Sequence, residues 1–417
     1  MSSTRREQKT REIIATAFQV WDGDLFYKTS LNTVADAMGI SKTALYRYFH
    51  NKEALLEAMD EELLRRHREL CRAVLENTAG AGFVERLREY QQRVLRFFVE
   101  NPSYYRFAFV RFVPNSAENA AKAGQVSSEQ EALFPLELLE REFAWPRQRL
   151  ELVRHYIFAG SGFLLHFWNF KKELLGFGSP EELIQADEQI VLEGMAGPEL
   201  RWEAVDFEAL ERRALVRPEE LLAPDKVFSA VAEVVAEEGL WKASLEKIAR
   251  KAGMSKSGLY FYFENRDDML WRMIDRERHR LGRITQQRMA GVESFVEQLY
   301  VYFVVFASYL YLRPEFLAVM NWFRFQRFLI KPPEESQEGM EQYVAFLDEA
   351  RHGRELREDL FGSFGIVQWI HFLLVQEMNL RFYEGKLGKE GWTPIRTLFE
   401  LFLFGIEGKK EGKNRRR

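Results

Sequence analysis

The sequence predicts an all-α protein made of two tandem copies of one unit. Its 417 residues include 26 glycines and 12 prolines, few turn formers for a protein of many short strands. Between these breaks, apolar residues recur at helical spacing. The strongest observation is an internal repeat, in which residues 29–56 align with residues 243–270 without a gap, at an offset of 214 and with 12 identities in 28 positions.

Composition and charge exclude several classes of protein. Hydrophobic residues make up 47% of the chain, which is too many for a disordered protein. The net charge is -4, so any surface that binds nucleic acid must be local. The single cysteine, Cys71, cannot form an intrachain disulfide or a thiolate metal cluster. Because the N-terminus has no apolar export signal, we expect a cytoplasmic protein.

The repeat extends along the whole unit. Pro102 matches Pro314, and the segment EGMAG, ending at Gly197, matches FGIEG, ending at Gly408. Between the copies, the proline-flanked segment 198–224 is predicted to be a linker that contains a helix. In the first copy, the breaks and the apolar periodicity predict helices at 5–21, 31–38, 42–49, 52–77, 83–100, 103–112, 129–142, 147–175 and 180–195.

A short motif occurs early in each copy. Residues 31–38, the turn 39–41 and residues 42–49 have the spacing of a helix–turn–helix. Gly39 suits the left-handed residue that ends the first helix, and Ser41 suits the cap of the second helix. The matching residues of the second copy are Gly253 and Ser255.

The second helix of this motif has two unlike faces. The residues predicted to face the core are Leu45, Tyr48 and Phe49. The residues on the opposite face are Thr43, Tyr46 and Arg47. A small, polar and cationic face fits the major groove of DNA. The predicted contacts are Lys42, Thr43, Ala44 and Arg47 to base edges or phosphates, and Tyr46 and Lys52 to phosphates.

The runs ISKTALYRYFHNKEALL and MSKSGLYFYFENRDDML resemble the DNA-binding signature of the TetR/AcrR family of bacterial transcriptional regulators. This resemblance implies a three-helix DNA-binding head, followed by a helical body that binds a ligand and dimerises. It implies phosphate contacts at Tyr46 and Lys52 and base contacts at Lys42, Thr43, Ala44 and Arg47. In the second copy the same positions hold Tyr260 and Arg266, and Lys256, Ser257, Gly258 and Phe261.

On this basis the chain divides into two heads, two bodies, a linker and a tail. The predicted domains are 1–55 (first head), 56–197 (first body), 198–224 (linker), 225–269 (second head), 270–408 (second body) and 409–417 (basic tail).

The second head departs from the first. Phe261 stands where the first copy has Arg47, and Gly258 lowers helix propensity. Residues 1–55 hold eight basic and six acidic residues, whereas 225–270 hold seven and eight. The second head is therefore expected to bind DNA more weakly. The alternative is that only the first head binds DNA and the second copy serves as an interaction and dimerisation scaffold.

The bodies leave two questions open. Aromatic clusters in both copies, such as Phe97 and Phe98, or Tyr302 and Phe303, fit either a pocket for a small hydrophobic effector or ordinary helical core. The stretches 155–170 and 360–376 carry no charged residue, but they fall short of a membrane span and fit buried helix interfaces.

The resemblance places a dimer interface in the last two helices of each unit. Segments 147–195 and 354–407 are therefore expected to take part in self-association, either within one chain or between chains.

Catalytic motifs are absent from the sequence. It has no GxGxxG after a strand, no phosphate-binding loop, no HExxH and no GxSxG. We therefore expect no enzyme and no cofactor. The predicted function is a TetR-type regulator, a repressor that a small apolar ligand releases from double-stranded DNA, with an operator of two unlike half-sites.

Overall fold

The computed structural model describes residues 3–23, 30–112, 126, 128–129, 131–170, 172, 175–202, 204–221, 223, 226–238, 243–326, 345–383 and 391–408. Within these residues the secondary structure is helical, with one isolated β-bridge between Ala196 and Leu356. The all-α prediction is confirmed. The predicted basic tail, 409–417, lies outside the described residues.

The first compact unit comprises residues 1–113 and 117–138. Its helices are α1 (Ser3–Gly23), α2 (Leu31–Ala37), α3 (Lys42–Tyr46), α4 (Lys52–Asn77), α5 (Phe83–Tyr90), α6 (Arg96–Glu100) and α7 (Pro102–Phe112). A π-helical turn at Gln91–Leu95 joins α5 to α6 inside the predicted helix 83–100. Helix α3 is shorter than the predicted 42–49, because the backbone N–H of Tyr48 turns back to the Leu45 carbonyl over 2.9 Å.

Helix α1 is fixed to the first body by aromatic packing. Phe18 stacks on Tyr104, with ring centroids 4.0 Å apart, and meets Phe107 edge-on. A buried ion pair between Asp60 on α4 and Arg111 on α7 lies in the same unit. The Arg111 Nε donates to the Asp60 carboxylate over 2.9 Å. Buried charges need such pairing, so this contact holds α7 in register with α4.

The second compact unit comprises residues 114–116 and 139–417. Helix α8 (Leu136–Glu142) crosses the division between the units. The other helices are α9 (Arg147–Phe170), α10 (Pro180–Glu193), α11 (Phe207–Ala214), α12 (Lys226–Glu238), α13 (Leu245–Lys251), α14 (Lys256–Tyr262), α15 (Arg266–Met289), α16 (Phe295–Leu312), α17 (Pro314–Gln326), α18 (Ser363–Tyr383) and α19 (Thr393–Phe404). Residues 345–352 are also helical. The division does not follow the two copies, because α9 and α10 belong to the unit that contains the second copy.

Helices α9 and α10 of the first copy pack against α18 and α19 of the second copy. Phe163 lies at the centre, with ring centroids 5.1 Å from Trp369 and 5.8 Å from Phe372. At the edge, Arg149 donates to the Glu400 carboxylate over 2.7 Å. The charge-free stretches are therefore buried helix interfaces, as predicted.

The ends of α10 and α19 contact each other reciprocally. The hydrogen bonds, 2.8 to 2.9 Å long, run from Met195 N–H to Phe402 O, Ala196 N–H to Leu403 O, Ile406 N–H to Val191 O and Glu407 N–H to Leu192 O. Each bond made by one copy is repeated by the other at an offset of 211 residues. The last carbonyls of each helix, which have no partner inside the helix, are satisfied in this way.

Two glycines permit this close approach. Gly194 has φ 71 and ψ -157, and Gly405 has φ 60 and ψ -160, a region that only glycine adopts readily. A Cβ on Gly194 would lie 2.5 Å from the Gly405 nitrogen, and a Cβ on Gly405 would lie 2.4 Å from the Leu192 backbone. We call this pair of helix ends, 191–196 and 402–407, the glycine clasp.

The linker is anchored on the second body. The predicted linker helix is α11, which packs on α16. Its buried Glu211 accepts hydrogen bonds from the Tyr300 hydroxyl at 2.6 Å and from the Arg396 guanidinium at 2.5 and 2.6 Å. Burial, reinforced by Glu211, raises the pKa of Tyr300. The linker is thus held by a buried polar network.

Helix α16 is apolar and long enough to cross a membrane by composition alone, and it is the single helix of this kind among the described residues. Of that stretch, 78% is buried inside the protein, which is typical of a core helix.

Candidate nucleic-acid interface

The first copy forms a helix–turn–helix from α2 and α3. Gly39 has φ +62 and ends α2, where the Ile40 N–H donates to the Ala35 carbonyl over 3.0 Å. The Ser41 hydroxyl then accepts a 3.2 Å hydrogen bond from the Ala44 N–H and caps α3. The cap and the left-handed glycine together determine the angle between the two helices.

The second copy repeats this geometry in α13 and α14. Gly253 has φ +71, and the Met254 N–H donates to the Ala249 carbonyl over 2.9 Å. Ser255 caps α14 through a 2.9 Å hydrogen bond from the Gly258 N–H. The next helix of each copy is capped by an asparagine, Asn51 for α4 and Asn265 for α15.

The outer face of α3 carries the predicted contact residues of the first head. Leu45 and Phe49 are buried beneath the helix, as the periodicity predicted, whereas Tyr48, which was also predicted to face the core, is half-buried. The exposed residues are Lys42, Thr43, Tyr46 and Arg47, and Ala44 is half-buried. The Lys42 ammonium lies 5.7 Å from the centroid of the Tyr46 ring. Neither Lys42 nor Arg47 forms a salt bridge within the part of the chain that the structure describes.

Lys52 lies in the first turn of α4, next to this face. It is half-buried, and burial lowers its pKa from the ordinary value. A positive charge at the positive end of a helix dipole is unfavourable in the free protein. An anion bound at this position would relieve that cost.

The second head brings its predicted residues together in the same order. Lys256 and Ser257 are exposed and Gly258 is half-buried. Tyr260 is 43% exposed, close to the 42% of Tyr46. Arg266 is the first residue of α15, and its side chain lies outside the described residues.

The charge of the second head is partly neutralised internally. Lys247 on α13 contacts Glu238 on α12 over 2.6 Å. Lys251 contacts Glu237 over 2.5 Å and Glu233 over 3.0 Å. Hydrogen bonds from these two carboxylates raise the pKa of Lys251. The second head consequently offers less unpaired positive charge to a phosphate backbone.

A cavity of about 260 Å³ lies in the second unit, and its lining does not include the aromatic clusters that the sequence offered for a pocket. Its lining includes Leu215 and Val216 of the linker, Tyr311 of α16, and Met378 and Arg381 of α18. It could not be predicted because the linker residues approach α16 only in the folded chain.

The aromatic clusters behave mainly as core. Tyr302, Phe303, Phe306 and Tyr309 are fully or almost fully buried. The first-copy residues Phe97 and Phe98 are half-buried and pack edge-on against each other.

Among the described residues, no group of three or more His, Cys, Asp or Glu side chains is placed to hold a metal ion.

Two short helices joined by a glycine turn, the second helix being capped and exposing polar and cationic side chains, are the arrangement found in DNA-binding proteins of the helix–turn–helix class. This chain contains the arrangement twice. The family model described as "Bacterial regulatory proteins, tetR family" matches residues 13–59 and 227–273. The chain thus carries the N-terminal DNA-binding domain of the TetR family in two copies.

Known relatives match short parts of the chain. An uncharacterized HTH-type transcriptional regulator of Mycobacterium tuberculosis is 31% identical over 80 residues, which is 19% of this chain and 40% of that protein. The fatty acid metabolism regulator protein of Bacillus subtilis is 38% identical over 45 residues, 11% of this chain and 23% of that protein. The matches thus span two fifths or less of these relatives.

A solved structure, the fatty acid degradation regulator of Bacillus halodurans, matches 45% of this chain and all of its own, at 20% identity and a TM-score of 0.34.

Proposed function

We propose that this protein is a cytoplasmic, DNA-binding transcriptional regulator of the TetR type, and that both of its heads contact duplex DNA. The observation that carries this proposal is the repeated helix–turn–helix, with the same glycine turn and the same serine cap in each copy. The family match to both heads favours two DNA-binding heads over a scaffold role for the second copy.

We further propose that the two copies pair within one chain and act as a pseudo-dimer. In a two-fold interface each contact occurs twice, with the partners exchanged. The reciprocal hydrogen bonds of the glycine clasp have this property, which supports the proposal. Because the heads differ at positions such as Arg47 and Phe261, the operator should consist of two unlike half-sites.

Selection of bound sequences from random duplex DNA tests this function. We expect an enriched site with two unlike halves. A palindrome would instead mean that identical heads from two chains pair, which would contradict the pseudo-dimer. No enrichment by a folded protein would contradict DNA binding itself.

We propose that the linker-lined cavity takes the effector, and that its binding releases a repressor from DNA. The lining is apolar apart from groups such as Ser308 and Arg381, which suits a ligand with an apolar body and one polar end. A relative that matches part of the chain is named a fatty acid metabolism regulator protein, and a fatty acid has an apolar body and one polar end. The linker leads from the cavity towards the second head, so a ligand there would act on the segment that joins the copies.

A cavity-filling variant tests the effector site. Val216→Phe should weaken release of the selected duplex by a medium-chain fatty acid at least about tenfold, because the added ring occupies the cavity. Val205→Phe, the same change in the linker but not on the cavity lining, is the matched control. If the fatty acid releases the DNA equally well from both variants, the cavity is not the effector site.

A further inference from the structure

Helix α14 presents an aromatic side chain to solvent at the centre of the second head. Phe261 is 85% exposed, the most exposed large hydrophobic side chain among the described residues. It is followed by Tyr262, which is 61% exposed and meets Phe261 edge-on, with centroids 5.4 Å apart. Burying a Phe side chain is favourable, and this one is left in water.

The position of Phe261 is set by the fold of the head. Leu259, the buried residue of α14, anchors the helix to the core. Phe261 aligns with Arg47 of α3 at the offset of 214. Because the serine caps and the glycine turns of the two heads are equivalent, Phe261 occupies the place from which Arg47 would reach a base edge.

The two side chains suit different bases. An arginine makes two hydrogen bonds to the major-groove edge of guanine. A phenyl ring makes none, and the apolar group that a base presents in the major groove is the methyl group of thymine. The internal pairing of Lys247 and Lys251 further reduces the electrostatic share of binding by this head.

We infer that Phe261 is a specificity-determining residue that contacts a thymine methyl group in the half-site bound by the second head. This inference rests on the proposed DNA-binding function. On this inference, the two half-sites differ because Phe261 in the second head replaces the arginine of the first head. The first head contacts a base through Arg47, and the second head contacts a base through Phe261.

Replacement of thymine by uracil tests the contact directly, because uracil lacks only the methyl group. In the selected operator, each thymine of the second half-site is replaced singly and the Kd of the full-length protein is measured. The wild-type protein should lose about fourfold in affinity at one position, the effect of burying one methyl-sized group. Phe261→Ser should show no such loss, whereas Phe261→Leu, which stays apolar, should retain part of it.

A specificity switch gives an independent readout. Phe261→Arg restores the residue type of the first head, so repeated selection should enrich guanine in place of thymine at that position. Arg47→Ala is the control, because it should change the first half-site and leave the uracil effect in the second half-site intact. Phe261 is exposed, so none of these changes disturbs a core contact.

The outcomes separate the two proposals. If the wild-type protein selects no duplex, the proposed function fails and this inference fails with it. If a duplex is selected and Arg47→Ala weakens its binding, but uracil and all Phe261 variants have no effect, only this inference is overturned. A Phe261→Ser variant that keeps uracil sensitivity but loses association with another protein would also overturn it, by assigning the aromatic patch to a protein partner.

Discussion

Arg47 is the side chain on which the sequence specificity of the first head is expected to depend. It is exposed at the C-terminal cap of α3 and has no salt bridge in the described part of the chain. If it binds a guanine through two hydrogen bonds, Arg47→Ala should cost about 1 to 3 kcal/mol and relax one half-site only. Quantitative gel shifts with single-base variants of the operator measure both effects. Equal losses in both half-sites would contradict an assignment of Arg47 to one half-site.

Lys52 is expected to contribute to affinity without selecting a sequence. Lys52→Ala should weaken binding to every duplex and reduce the slope of log K against log salt by about 0.9. The measurement is a salt titration of wild type and variant on specific and random DNA. A slope equal to that of the wild type would remove Lys52 from the set of phosphate contacts.

His67 makes the stability of the first unit depend on pH. It is buried on α4, with its Nε2 3.7 Å from the Cys71 sulfur. Burial, assisted by Arg68, lowers the pKa of His67 from 6.5 to about 4. Between about pH 4 and pH 6.5, His67 therefore binds a proton in the unfolded chain but not in the folded chain. Stability from neutral His67 is complete above about pH 6.5 and is lost as the pH falls towards 4.

This loss should reach about 3 kcal/mol at most. Denaturant unfolding between pH 7 and pH 4 measures it, and His67→Leu should flatten the pH dependence in that window. The exposed His352, changed to Gln, serves as the matched control for the removal of a histidine. Parallel curves for wild type and His67→Leu would contradict the expected role of His67.

At the scale of elements, the glycine clasp is the contact most sensitive to a single added carbon. Gly194→Ala combines a positive φ with a clash against the backbone of α19. We expect a loss of about 3 kcal/mol or more in the free energy of unfolding. Gly176→Ala, at φ +73 with nothing within 4 Å of the added carbon, should lose only about 1 kcal/mol. Similar losses for both variants would show that the close approach of the two helix ends contributes little.

The elements also show where reasoning from sequence succeeds. The turn and cap of the first head were predicted from Gly39 and Ser41, because both act on backbone groups only a few residues away. The predicted end of α9, at 175, follows Phe170, the last helical residue that the structure describes, and residues 171, 173 and 174 lie outside the described residues. Helix ends are poorly determined by periodicity, because an apolar repeat marks the buried face of a helix and not its last residue.

For the whole molecule, pairing of α9 and α10 with α18 and α19 predicts that one chain suffices for one operator. Among the described residues, these helices of one copy contact those of the other, so we expect them not to pair with a second chain. Light scattering should give the mass of a single chain, and titration of the selected duplex should end at one chain per duplex. Two chains per duplex would contradict the pseudo-dimer.

The sequence alone determined the helical class, the duplication, the helix–turn–helix and the outward face of its second helix. These features depend on local interactions, such as helical periodicity, serine caps and glycine turns, which act over a few residues. Only the tertiary structure decided that the interface helices meet within one chain, that the clasp needs Gly194 and Gly405, and that the linker lines a cavity.

Those contacts join residues far apart in the chain. Arg396 and Glu211 are separated by 185 positions, and Arg149 and Glu400 by 251. Such partners are determined by the packing of complete helices. The periodicity of a sequence shows that a helix has an apolar face, but it does not specify which distant helix will cover that face.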